Sequence, residues 1–226
     1  MPERFVASLS RYRSAGVFNP WGEVDAEHEL DGQGPQVRRQ QLQHYLQERI
    51  GCARTLLVAE AIGYQGGHFS GIPMTSERLL LGGLRHKGLS ADMVFRGLEA
   101  RRTSLPQLKP QGFTEPTATI VWGFMAEQGI DPRSVVLWNA FPWHPFHSAK
   151  GLLSNRTPKD DELVAGHQVL RQMLELGKFS RVVAVGEKAA LQLQGMGVPA
   201  GKVRHPANGG AGKFRSQLQA ILNLNQ

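Results

Sequence analysis

Four short apolar runs, separated by stretches of helical spacing, organise this chain of 226 residues. Residues 54–60 (RTLLVAE), 134–141 (SVVLWNAF) and 181–186 (RVVAVG) are almost unbroken in hydrophobic side chains, and 202–206 (KVRHP) is a weaker fourth run. A strand covered on both faces buries both of its side-chain rows, so unbroken apolarity predicts strands of a parallel sheet. Between the runs the period changes to that of a helix. Leu42, Tyr45, Leu46 and Ile50 form one stripe over 37–50, which Gly51 ends. Residues 116–129 begin with Pro and end with Gly, as helices do. Over 157–177, Thr157 stands as N-cap and Pro158 at the first position, with Asp160 and Asp161 at the positive end of the dipole. Leu163, Val164, His167, Leu170 and Leu174 share one face of that helix, and Gly177 closes it. Residues 187–194 and 214–224 complete the helical series, while 20–36, polar and bearing Gly and Pro, predicts a surface loop.

Strands alternating with helices imply an α/β fold: a three-layer α/β/α sandwich around a mainly four-stranded parallel sheet. The length suits one domain over 1–226, with 1–36 as an N-terminal extension packed on it. In such sheets ligands bind beyond the carboxyl ends of the strands. The segments AEAIGYQGGHFSGIPMTSE, NAFPWHPF, GEKAA and HPANGG follow the four runs and are expected to converge.

Composition narrows the chemistry. With 26 Lys and Arg against 19 Asp and Glu, the net charge of +7 suits a polyanion such as nucleic acid. A single cysteine, Cys52, excludes an internal disulfide framework and any Cys-based zinc or iron–sulfur site. The start, MPERFVASLSRYR, lacks the apolar core of a signal peptide, and no apolar run approaches the roughly 20 residues that cross a bilayer. The expectation is a cytoplasmic protein that binds no membrane.

Several residues stand out against that frame. Gly63, Gly66, Gly67 and Gly71 follow the first run but match neither the dinucleotide fingerprint nor a P-loop. Glu60 leaves a buried apolar strand, which is costly for a carboxylate without a partner or a task. Asn139 interrupts VVLWNAF, and a buried amide needs both a donor and an acceptor, from adjacent backbone or from the polar edge of a ligand. The segment FPWHPF (141–146) reads as a packed loop or as an aromatic wall for a planar ligand. His144 and His147 hint at a metal, but no carboxylate at helical spacing supports one, so no metal or cofactor is expected. In HPANGGAGKFR (205–215), Pro206 fixes the turn after His205, the glycines and Asn208 thin the loop, and Lys213 and Arg215 add charge. Either the glycines cradle a phosphate at a helix N-terminus, or His205 does chemistry while the glycines let backbone approach a polyanion.

Taken together, the segments resemble the uracil-DNA glycosylase superfamily from about residue 54 onward. AEAIG (59–63) is similar to the first motif, read in members as G-Q-D-P-Y, G-E-A-P-G or G-M-N-P-G. GIPMTSE (71–77) lies where the single-strand-selective branch has G-V-P-F, and Asn139 falls where the family places its uracil-reading asparagine. NRTPKDDEL (155–163) resembles the N-R-x-P segment of the bacterial iron–sulfur branch, and HPANGG (205–210) the second motif, H-P-S with its minor-groove loop. The pattern is closest to the G-E-A-P-G branch, without that branch's cysteines.

The resemblance implies a monomeric, cofactor-free, monofunctional glycosylase of base excision repair. It would flip uracil out of single- or double-stranded DNA and hydrolyse its N-glycosidic bond. His205 would donate a hydrogen bond to the departing base, and Glu60 would position water and stabilise the cationic sugar. Asn139 would read the uracil edge, with Ala61, Ile62, Gly63, Phe69 and Met74 around the base, and Asn208, Gly209, Gly210, Lys213 and Arg215 would hold DNA. The departures are specific. Ala59 replaces Gly, Ile62 replaces Pro, and Ala61 stands where the most active branch carries its aspartate. Met74 stands where a stacking phenylalanine is expected, so either Phe69 stacks instead or Met74 widens the pocket. The leucine wedge of the second motif is missing. These departures keep open a glycosylase for another base (hypoxanthine, a thymine mismatch, a phage-modified pyrimidine), a non-catalytic DNA-binding module, and an unrelated phosphate- or nucleotide-binding enzyme.

Overall fold

A parallel sheet of four strands forms the centre of the computed structural model, which describes residues 1–222. In chain order, helix α1 (Pro2–Leu9), strand β1 (Val17–Phe18) and helix α2 (Gly34–Gln47) lead to the first sheet strand, β2 (Thr55–Ala61). Short helices α3 (Gly67–Ser70), α4 (Glu77–Leu80) and α5 (Ala91–Val94) follow, then α6 (Pro116–Glu127) and the strands β3 (Val135–Phe141) and β4 (His144–Pro145). The remainder alternates α7 (Asp160–Gly177), β5 (Arg181–Val185), α8 (Glu187–Gly195), β6 (Gly201–Val203) and α9 (Ala211–Leu222). The sheet order is β3-β2-β5-β6, all parallel, with helices flanking it as an α/β/α sandwich; β1 and β4 form a separate antiparallel ladder. Each apolar run of the sequence is one sheet strand, with its ends displaced by at most three residues. The strand in 202–206 ends at Val203, so His205 lies two residues beyond it.

Although β3 is an edge strand, all seven of its residues are buried. The end of α2 explains this. The Leu137 N–H donates to the Tyr45 hydroxyl at 2.8 Å, and Arg49 Nε donates to the Val135 carbonyl at 3.1 Å. Buried side chains thus supply the partners that a further strand would have given.

Three local expectations change. The polar stretch 20–36 is only partly a surface loop: Val24, Glu27, Leu30 and Gln33 are exposed, but its anchors are buried. Trp21 is fully enclosed, lies parallel to Trp138 of β3 at 6.4 Å, and donates its indole N–H to the Gly71 carbonyl at 3.0 Å. Asp25 is also fully buried, and Glu29 pairs with Arg38 at 2.5 Å. These polar side chains are buried because each meets an opposite charge or a donor, which is the condition for burying them. Helix α2 accordingly begins at Gly34, inside the segment expected to be loop, and ends at Gln47. Helix α7 begins at Asp160 rather than at Thr157: the Lys159 N–H donates to the Glu162 carboxylate at 2.8 Å, while Thr157 takes a hydrogen bond from Lys188 instead. Val164 faces solvent on that helix, away from Leu170 in the core. At the far end, α9 starts at Ala211, three residues before Phe214, and residues 223 and 224 of the expected helix lie outside the described residues.

Candidate active site

The carboxyl ends of the strands and the loops after them enclose a cavity of about 300 Å³. Strand β2 delivers Glu60 and Ala61 to its rim, and Ile62 and Gly63 continue the wall. Asn139 lines it from β3, where it pairs in register with Ala59 of β2. His205 enters from the turn after β6, and Gly186, at the end of β5 with φ +94°, makes room for it: a Cβ there would stand 3.1 Å from the His205 Cβ. Met74, held at φ +47°, closes another side. Glu60, Ala61, Ile62, Gly63, Met74, Asn139 and His205 therefore share one cavity, although they are spread over nearly 150 residues of chain.

Phe69 is not among them. Helix α3 turns it into the core, where it is fully buried and stacked on Phe113 at 4.3 Å, so it cannot stack on a base in this cavity. The turn expected to hold DNA lies beside the cavity. Asn208 and Gly209 adopt positive φ (52° and 74°) and are exposed, and Gly210 is buried under the His205 carbonyl. Lys213 is exposed and shares a hollow with Arg204 and His205. Arg215 is instead ion-paired with Glu127 of α6, so part of its charge is already matched.

The polar atoms in the cavity are unevenly satisfied. The Ala207 N–H donates to His205 Nδ1 at 3.2 Å. A neutral ring that accepts there carries its proton on Nε2, which leaves Nε2–H as a free donor. Burial holds His205 below the usual histidine range, with Arg204 adding to the effect and Glu60 opposing it. Glu60 is half-buried and its Oε1 lies 3.2 Å from Lys188 Nζ, an ion pair without hydrogen-bond alignment. Asn139 is 1 % exposed and its Oδ1 is sealed with no hydrogen-bond partner among the described residues. A buried acceptor left unmet costs about 1–3 kcal/mol, which a ligand offering an N–H would recover.

Glu115, Asn155 and Arg156 are among the lining residues that sequence reasoning missed. Glu115, just before Pro116 at the start of α6, lines the cavity with its Oε2 sealed beneath the loop after β2, where a Cβ at Gly66 would stand 1.9 Å away, and burial alone pushes its carboxyl up to about 7. Only its place before a helix-starting proline marked it in the sequence. Asn155 and Arg156 were noted there as part of a motif, with no place in the site. Asn155 Oδ1 accepts the Tyr64 N–H at 3.0 Å, tying the loop after β2 to the segment before α7. Arg156 is engaged by the Glu162 carboxylate at 2.7 and 2.6 Å, so its guanidinium props the wall.

A buried polar chain lies behind the loop. His68 Nε2 is 2.9 Å from Asp25 Oδ2, His68 Nδ1 is 2.9 Å from His144 Nδ1, and His144 Nε2 is 2.8 Å from the Ser154 carbonyl. Both ring nitrogens of His144, weighed above as a metal ligand, are thus committed to hydrogen bonds. Burial drives His68 down to about 4 and His144 to about 3.

A search of curated proteins returned no match in sequence. The family model of the Uracil DNA glycosylase superfamily matches residues 53–224. That span contains all four strands of the parallel sheet and every residue lining the cavity at their carboxyl ends. The chain belongs to the uracil DNA glycosylase superfamily, a family of DNA glycosylases.

Proposed function

We propose that the protein hydrolyses the N-glycosidic bond of uracil in DNA and leaves an abasic site. The observation that carries this reading is the sealed, unpartnered amide oxygen of Asn139 at a cavity that also holds the Nε2–H of His205, which has no partner among the described residues. Uracil fits that pattern: its N3–H meets Oδ1, its O4 meets the amide N–H, and its O2 remains for His205. Cytosine presents the reverse order at N3 and N4 and leaves buried groups unpaired, which is a strong basis for rejection.

The base must first leave the helix stack, at the expense of a few kcal/mol, least when it is mispaired or single-stranded. As the C1′–N1 bond breaks, its electron pair moves onto the base and spreads to O2, while positive charge grows on the sugar. His205 Nε2–H donates to O2 where that negative charge develops. Because the imidazole is neutral it gives up no proton to do so, and the base departs as an anion. The Glu60 carboxylate, steadied by Lys188 at 3.2 Å, stabilises the cationic sugar and orients water. The water oxygen bonds to C1′ and its proton passes to Glu60 and then to solvent. Lys213 and the thin turn at Asn208 and Gly209 approach the phosphates, which position the strand without reading its sequence.

The test is release of uracil from a labelled oligonucleotide, scored as alkali-labile sites. His205→Ala and Asn139→Ala are each expected to lower the single-turnover rate at least about tenfold, a modest share of what such donors supply. Full activity in either variant would overturn the assignment, and binding of uracil-containing DNA without any abasic product would assign a non-catalytic binding module instead.

A further inference from the structure

Residues 1–36, expected as an extension packed on the domain, hold both walls of the cavity. One wall is the loop after β2, with Ile62, Gly63 and Gln65; the facing wall is the segment before α7, with Asn155 and Arg156. The walls meet where Gly63 passes Asn155. A Cβ at Gly63 would stand 3.5 Å from the Asn155 amide, and Asn155 Oδ1 accepts the Tyr64 N–H at 3.0 Å. Behind this junction, Asp25, His68 and His144 run as an unbroken chain of contacts at 2.9, 2.9 and 2.8 Å to the Ser154 carbonyl, one residue before Asn155. All three side chains are fully buried. His68 belongs to α3, whose Gly67 lies flat on the cavity residue Ile62: a Cβ there would stand 3.0 Å from Ile62 Cδ1. The chain therefore ties Ile62 on one wall to Asn155 on the other, and Asp25 fixes its end. The same extension grips the second wall directly, because the Gly16 carbonyl accepts from Arg156 Nη2 at 2.8 Å.

We propose that Asp25 is a positioning residue for cleavage of the glycosidic bond: through His68 and His144 it sets the gap between the two walls, and so the place of the base against Asn139 and His205. This rests on the proposed glycosylase function and adds to it a residue that never touches DNA. A fully buried hydrogen-bonded chain resists displacement, because any break leaves polar groups unpaired in the interior. A wall that shifts by about 1 Å can lower the rate about 100-fold. The role belongs to the hydrogen bonds of Asp25 rather than to its charge. An amide of the same shape donates to His68 Nε2 and accepts from His28 Nδ1, which lies 2.8 Å from Asp25 Oδ1. With that donor in place, His68 Nδ1–H serves His144 Nδ1, and His144 Nε2–H serves the Ser154 carbonyl, so the chain is complete.

The experiment follows uracil release from a labelled oligonucleotide under single-turnover conditions as enzyme concentration rises, which gives a plateau rate and a half-saturating concentration. At the plateau all DNA is held by folded enzyme. A variant that is merely less stable therefore raises the half-saturating concentration and leaves the plateau unchanged. Asp25→Leu is expected to lower the plateau about tenfold or more, with half-saturation within about threefold of wild type, because Lys213 and the turn at Asn208 and Gly209 are untouched. Asp25→Asn is expected to bring the plateau back to within about threefold of wild type, as a completed chain requires. His68→Gln, whose amide reaches Asp25 but leaves His144 unpaired, should lower the plateau in the same direction and decides the matter if Asp25→Leu does not fold. A plateau within about threefold of wild type in the folded Asp25→Leu or His68→Gln protein overturns the inference. So does a loss confined to half-saturation, or an Asp25→Asn protein as slow as Asp25→Leu. Release of no uracil by the wild type overturns the glycosylase reading, and the positioning role falls with it.

Discussion

Gly210 lies five residues after His205, and it sets where the histidine sits. Its N–H donates to the Ala207 carbonyl at 3.0 Å, which closes the turn. A Cβ at this position would fall 2.0 Å from the His205 carbonyl oxygen, 3.0 Å from the Ala207 oxygen and 3.1 Å from Arg204 Cγ. Ordinary contact begins at 3.4 Å, so Gly210→Ala requires the His205 backbone to retreat by about 1.4 Å (3.4 − 2.0). The obstructing atom is backbone, and no rotamer change relieves it. The same retreat pulls on the hydrogen bond from Ala207 N–H to His205 Nδ1, which fixes the tautomer and the aim of Nε2. A misplacement of about 1 Å in a reacting group can lower a rate about 100-fold. We therefore expect Gly210→Ala to release uracil about 100-fold more slowly under single-turnover conditions. Overpacking of this kind also destabilises the fold by about 1–3 kcal/mol, so thermal unfolding is measured in parallel to show that the variant is folded at the assay temperature. Two neighbouring glycines calibrate the stability effect. Gly212→Ala meets no atom within 4 Å and lies in the first turn of α9, where Ala is favoured over Gly by up to about 1 kcal/mol. Gly209→Ala meets nothing either but sits at φ +74°, and is expected to lose about 1 kcal/mol to backbone strain alone. A Gly210→Ala protein that is as stable as wild type and releases uracil at a rate within about threefold would refute this account of the turn.

Two further predictions concern the polar chain behind the loop. Asp25→Ala removes the carboxylate that His68 meets at 2.9 Å and His28 at 2.8 Å, so it should destabilise the protein by about 1.5–3 kcal/mol in chemical denaturation. A loss below about 1 kcal/mol would mean that water or a neighbouring group replaces the carboxylate. Because burial holds His68 and His144 neutral, with folded-state values of about 4 and about 3, the unfolded chain binds protons first as pH falls. Their contribution is complete above the ordinary value near 6.5 and is lost on acidification, on the order of 2 kcal/mol per histidine by pH 5. The lowered Asp25 carboxyl adds a second loss below its ordinary range. A denaturation midpoint that stays constant from pH 7.5 to pH 5 would contradict this.

What the sequence determined by itself was local in origin. An unbroken apolar run reports burial on both faces without reference to any partner, so RTLLVAE, SVVLWNAF and RVVAVG could be read as parallel strands before the sheet was seen. The rule that ligands gather at the carboxyl ends then pointed to Glu60, Asn139 and His205, which lie in the cavity. The tertiary structure decided whatever depended on a distant partner. The stretch around Trp21 and Asp25 has loop composition and is buried because Trp138, Gly71 and His68 wait for it 43 or more residues away. Phe69 is one residue from His68, and either could have faced the site; the turn of α3 sent both inward. Glu115 carried no chemical signal of its own. It became a cavity residue only because α6 starts over the loop after β2, and its carboxyl is neutral or charged according to a desolvation that the whole fold imposes. Periodicity records how many faces of a segment are covered, but not by what, and a polar side chain takes its role from the groups that cover it.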